Sequence, residues 1–153
     1  MTIIELTTVF PVAPARAFDV SIDVDAHTAS MSGSGERTVG GVRSGPLALN
    51  DSVTFTARHF GLPWRMTSRI TEYDRPTRFV DEQARGPFAY WRHEHVFVWD
   101  ESRGVTVARD KVEFAAPLGF LGRLVTRLVL EGYMRRLLSK RNEYLASSCT
   151  GEA

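Results

Sequence analysis

From Ser52 to Phe114 apolar residues recur at every second position for about sixty residues, after which the period lengthens to three or four. This change of period constrains the fold more than any other feature. A period of two belongs to half-buried strands, and one near 3.6 to an amphipathic helix. The first run divides into 52-SVTFTARHF-60, 64-WRMTSRITEY-73, 77-TRFVDEQAR-85, 89-AYWRHEHVFVW-99 and 105-VTVARDKVEF-114. Its breaks, Gly61-Leu62-Pro63, Asp74-Arg75-Pro76, Gly86-Pro87 and Asp100 to Gly104, are short, as an antiparallel meander requires. Beyond Pro117 the positions Leu121, Leu124, Val125, Leu128, Met134, Leu137, Leu138, Arg141 and Leu145 predict a helix from about Leu118 to Leu145. Gly122 and Gly132 weaken it locally.

Ahead of the meander, 3-IIELTTVF-10 reads as a strand closed by Pro11. The stretch 13–31 reads as two short helices, with Pro14 near the first start and Asp23 or Asp25 capping the second. The glycine-rich stretch 32–46 is loop with room for one short strand. A single sheet must bury its apolar face, and the terminal helix is the only element long enough to cover it. The expected architecture is α+β: a curved antiparallel sheet wrapped around a long C-terminal helix, two short helices after the first strand, and a cavity between sheet and helix. One domain is expected over 1–147, followed by a polar tail, 148–153.

Composition excludes several functions. The net charge is +1 and the arginines are spread along the chain, so nothing attracts it to nucleic acid or an anionic membrane. Cys149 is the one cysteine, which excludes an internal disulfide and a cysteine metal cluster. MTIIELTTVF lacks the features of a secretory leader, so a cytoplasmic protein is expected. The apolar stretch 117–134 is interrupted by Arg123, Arg127 and Glu131, which argues against stable membrane insertion. No phosphate-binding glycine pattern and no G-x-S-x-G nucleophile motif occurs.

The segment 88-FAYWRHEHVFVW-99 holds His93 and His95 two residues apart. In a strand both imidazoles turn to one face, from positions about 6.5 Å apart along the strand. Trp91, His93, His95, Phe97 and Trp99 form the row with the large aromatics and no formal charge, the better inner face. By the same alternation Val53, Phe55, Ala57 and His59; Trp64, Met66, Ser68 and Ile70; Phe79, Asp81 and Gln83; and Thr106, Ala108, Asp110, Val112 and Phe114 face inward. Buried imidazoles and carboxylates need partners. A cluster across three strands is expected, with Asp81 and Asp110 accepting from the histidines and Gln83 satisfying what remains.

The string F-x-D-x-Q-x-x-G-P-F-x-x-W-x-H-x-H-x-F, from Phe79 to Phe97, resembles a subgroup of the SRPBCC, or START-like (birch-allergen-like), superfamily. Asp110, 114-FAAPLGFLG-122, the terminal helix and the glycine-rich stretch leading to 59-HFG-61 are similar too. The resemblance implies a helix-grip fold enclosing an apolar cavity. It also implies a range of roles, from lipid and steroid carriage and coenzyme Q binding to polyketide aromatase/cyclase activity.

Three readings of the histidines compete. A metal site lacks a second histidine motif, and its carboxylates serve equally as hydrogen-bond partners; no metal and no cofactor is expected. An enzyme of the polyketide cyclase/aromatase or dehydratase type would use His93 or His95 with Asp81 or Asp110 as acid/base groups. The preferred reading is non-enzymatic binding of a small hydrophobic ligand such as a lipid, quinone, steroid or polyketide. Phe55, Trp64, Met66, Phe79, Trp91, Phe97, Met134 and Leu138 would line the cavity, and Asp81, Gln83, His93, His95 and Asp110 would form its polar end. The oligomeric state is left open.

Overall fold

The structure, a computed structural model, describes residues 1–150. The order is β1 (Thr2–Phe10), α1 (Pro14–Ser21), α2 (Val24–Ser30), β2 (Arg37–Gly41), β3 (Ser52–His59), β4 (Leu62–Asp74), β5 (Arg78–Arg85), β6 (Tyr90–Asp100) and β7 (Val105–Ala115). A final helix runs from α3 (Gly119–Val125) through a π-helical turn (Thr126–Leu130) into α4 (Glu131–Ser148). Of the expected polar tail, Ser148 ends α4, Cys149 is buried, and 151–153 lie outside the described residues.

Seven antiparallel strands form one sheet in the order β1-β7-β6-β5-β4-β3-β2. The meander stays in sequence order, and β1 closes onto β7 with Thr2 opposite Phe114. Register shifts between Thr67 and Ser68 and between Ile70 and Glu72 bend β4, which curves the sheet toward its inner face. The two short helices form as expected: Pro14 starts α1, and Asp23 caps α2 by accepting from the Ala26 N–H at 2.9 Å.

Three expectations are corrected. The first hairpin turns on Phe60 and Gly61, so β4 begins at Leu62; both turn residues have positive φ (55° and 71°), as a two-residue type I′ loop requires. Trp99, at the end of β6, is 46% exposed and does not join the buried row of Trp91, His93, His95 and Phe97. In the final helix Leu121, Leu124, Val125 and Leu128 face outward, and the buried seam is Gly122, Thr126 and Leu130, then Met134, Leu138, Arg141, Asn142 and Leu145. The π-turn adds a residue to one turn, so α3 and α4 present different phases of one apolar pattern.

The core is in two clusters. Phe10, Phe18, Ile22, Val53, Phe79, Phe97, Ala108 and Leu145 form one; Ile4, Trp91, Val112, Phe114, Leu130, Met134 and Leu138 form the other. Between them three elements each switch from apolar to polar and back: Trp91–His93–His95–Phe97 on β6, Val112–Asp110–Ala108 on β7, and Leu138–Arg141–Asn142–Leu145 on α4. A polar belt therefore crosses the interior from sheet to helix.

Candidate ligand-binding site

Strand register builds the centre of the belt. Asp81 of β5 lies opposite His93, and Asp110 of β7 opposite His95. The imidazoles project side by side, between one carboxylate from each flanking strand. His93 Nε2 is 2.7 Å from Asp110 Oδ1, and His95 Nδ1 is 3.1 Å from the same oxygen. His95 Nε2 is 3.0 Å from Asp81 Oδ2, whereas His93 Nδ1 is 3.9 Å from it, beyond hydrogen-bond reach.

A carboxylate only accepts, which assigns the protons. His95 faces a carboxylate with each nitrogen: Nε2 donates to Asp81 Oδ2, and Nδ1 lies within ion-pair distance of Asp110 Oδ1, so both carry protons. His93 donates from Nε2 and keeps a lone pair on Nδ1, which makes no hydrogen bond among the described residues. Titration tendencies agree. Burial pushes both imidazoles toward the neutral ring; at His95 the hydrogen bonds to Asp110 and Asp81 outweigh it and raise the pKa. At His93 burial prevails, helped by the adjacent His95 charge, and the pKa is lowered. Burial alone would raise both carboxylates, but the histidines hold Asp81 and Asp110 below the usual carboxylate range.

The belt continues into the helix. Asn142 Nδ2 donates to Asp110 Oδ2 at 2.7 Å, and the buried Arg141 donates to Asn142 Oδ1 at 2.9 Å and to the Ser21 carbonyl at 3.2 Å. Arg141 Nε lies 3.4 Å from His27 Nδ1, and His27 Nε2 lies 2.8 Å from Glu36 Oε1. Ser68 Oγ donates to Asp81 Oδ1 at 3.1 Å.

Between sheet and helix is a cavity of about 180 Å³, walled by residues of both core clusters and bordered by the belt itself, including His27, Glu36 and Arg141. Among the expected lining residues it is bordered by Phe55, Trp64, Met66, Phe79, Asp81, Trp91, His93, His95, Met134 and Leu138. Three others stand elsewhere. Phe97 packs edge-on against Phe10 and Phe18 in the core. Asp110 lies behind the histidines, bonded to Asn142. Gln83 does not reach the histidines: its amide donates to the Phe88 carbonyl at 2.8 Å and accepts from the Phe88 N–H at 3.1 Å, clipping the β5–β6 hairpin.

Asn142, His27, Glu36 and Tyr133 join the site without having been expected there from sequence. Arg141 was visible as a charge on the apolar phase of the helix, a signal that also pointed to its neighbour Asn142. His27 and Glu36 come from a short helix and a loop, where no periodicity assigns a face. Tyr133 shares a 2.6 Å hydrogen bond with His59 Nδ1 at the cavity wall. Asp81, His93 and His95 each offer a ligand atom within 4.8 Å of the others. They could hold a divalent cation only by giving up the His95–Asp81 hydrogen bond.

No protein-family model and no curated protein sequence matches the chain. Solved structures do. The Zhui aromatase/cyclase from Streptomyces sp. R1128 superposes with a TM-score of 0.76 at 14% identity, over 97% of this chain and 93% of that one. A START superfamily protein from Mycobacterium smegmatis gives 0.70 at 11% identity, over 95% and 97%. The chain has the helix-grip fold of START-like proteins. Norcoclaurine synthase from Thalictrum flavum, solved with dopamine and hydroxybenzaldehyde, gives 0.70 at 10% identity, over 99% and 88%. At such identities the likeness is one of fold.

Proposed function

We propose that the protein binds a small hydrophobic ligand in the cavity and orients it through a hydroxyl or enol group at the polar belt. One observation carries the reading: a largely apolar cavity reaches a stacked histidine pair in which one ring nitrogen, His93 Nδ1, makes no hydrogen bond among the described residues. Beside it the Asp81 carboxylate is a second acceptor. Two acceptors facing an apolar space favour a ligand that donates. The volume, about 180 Å³, exceeds the ~150 Å³ cavity that takes up benzene, so the buried part of the ligand has one or two rings. Polyketide-like phenols, reduced quinones and hydroxysteroid ends fit this description.

A second reading has its own observation. A neutral imidazole held by a buried carboxylate and adjoining a cavity is the arrangement of a general base. His93 Nδ1 would then abstract the hydroxyl or enol proton in a cyclase/aromatase-like reaction, with the Asp81 and Asp110 carboxylates and His95 balancing the charge that develops on His93.

Native mass spectrometry of the purified protein, followed by organic extraction, tests the binding reading. A co-purified ring-bearing hydroxyl compound supports it; a product that differs from added ligand after incubation favours the second. Empty protein that ignores every ring-bearing probe contradicts both.

A further inference from the structure

The segment that turns its apolar residues outward has a use. Phe120, Leu121, Leu124, Val125, Leu128 and Val129 are 43–75% exposed, while only Gly122, Thr126 and Leu130 of the same turns are buried. A contiguous exposed patch of this kind marks an interaction surface. A Cβ at Gly122 would lie 1.8 Å from the Pro117 carbonyl oxygen, so the chain entering the helix folds closely against its first turn on the buried side.

We propose that this face docks on an anionic lipid bilayer. Charge is the first argument. The sequence from Ala115 to Leu130 has no acidic residue, and its two cations, Arg123 and Arg127, are exposed and make no ion pair among the described residues. The hairpin of β3 and β4 repeats the pattern: no acid from Ser52 to Thr71, with Arg58 and Arg65 exposed. The overall charge of +1 hides this local excess. Arginines among apolar side chains suit a helix lying in a headgroup layer, with stems among the acyl chains and guanidiniums at the phosphates. A second copy on a two-fold axis would set arginines against arginines, with no carboxylate in the patch to receive them.

Continuity with the cavity is the second. Phe60, at the hairpin tip, is 51% exposed, holds a positive φ of 55°, has its ring centroid 4.5 Å from that of Tyr133 with the planes tilted by 43°, and also borders the cavity. Leu130 and Tyr133, which follow the exposed helical face, line the cavity too, so its wall reaches both exposed segments, and on the function proposed above an apolar ligand would pass between bilayer and cavity without crossing water. The docking is peripheral: no helix among the described residues is long and apolar enough to cross a membrane.

Flotation of the ligand-free protein with phosphatidylcholine vesicles, alone or mixed equally with phosphatidylglycerol, tests docking separately from cavity binding. At least about tenfold more protein should float with the mixed vesicles, falling as salt screens the arginines. Leu128→Asp and the pair Arg123→Glu/Arg127→Glu should each abolish the difference while leaving the thermal midpoint unchanged, since all three side chains are exposed. Equal flotation with both vesicles, or none, overturns the proposal. So does a dimer that Leu128→Asp dissociates in a protein indifferent to vesicles, because a second copy then covers the patch. Failure here leaves the cavity reading standing, since no ligand is present.

Discussion

The imidazole rings of His93 and His95 stack with centroids 3.7 Å apart and 28° between their planes. Two imidazolium ions at that separation would repel strongly, so the pair carries no more than one charge. Carboxylates on both nitrogens assign it to His95. Nitrogen-15 NMR at neutral pH should show His95 protonated on both nitrogens and His93 neutral with its proton on Nε2. A His93 proton on Nδ1, or stoichiometric zinc or iron in the purified protein, would contradict this assignment.

The same asymmetry gives stability two pH limits. The folded pKa of His95 is raised above its ordinary 6.5, so its contribution is complete below that value and lost as pH rises through the folded one. His93 is shifted down, so the unfolded chain takes its proton first and stability falls as pH drops below 6.5. Asp81 and Asp110 add a further loss below about 3.8, where the unfolded chain protonates and the native carboxylates resist. Thermal midpoints should peak near neutrality, and His95→Gln should remove the alkaline decline. An unchanged alkaline decline in that variant would place its origin elsewhere.

Asp110 ties sheet to helix, accepting from His93 and Asn142 and lying 3.1 Å from His95 Nδ1. Asp110→Asn turns an amide donor toward other donors and leaves His95 without its main counter-charge. Urea denaturation should show a loss of about 3–5 kcal/mol, the cost of breaking a buried charged pair from one side. A loss under about 1 kcal/mol would mean the belt is not a structural tie.

Most of the architecture was legible because strand and helix periods differ and no strand pattern of the meander is ambiguous; β2, among glycines, has too few side chains to show a period. Asp81, His93, His95 and Asp110 were legible as a cluster because period two puts them on one face of adjacent strands. The apolar pattern of 121–128 misled, since a π-turn shifts the helix phase without any residue that announces it. Gln83 misled for another reason: strand alternation assigns a face but not a partner. Its true partner is the Phe88 backbone, and Gly86 is required beneath it, where a Cβ would fall 2.3 Å from Gln83 Oε1. The Q-x-x-G-P-F part of the motif is thus a hairpin clip.

Gln83→Ala should accordingly act on stability. Two hydrogen bonds to the Phe88 backbone are lost, at a cost of about 1–3 kcal/mol in chemical denaturation. The His93 and His95 ring signals should stay in place, because Gln83 does not touch them. A shift in those signals with stability unchanged would return Gln83 to the polar cluster.

The central claim is an apolar cavity that selects a hydroxyl at His93. Calorimetric titration with 2-naphthol and with 2-methylnaphthalene, similar in shape but differing in the donor, measures it directly. The account predicts one-to-one binding of both, with 2-naphthol tighter by about 1–3 kcal/mol. His93→Phe should abolish that preference, while Leu138→Trp, which fills the cavity, should abolish binding of both. Equal affinities for the two compounds, unchanged in His93→Phe, would contradict the claim.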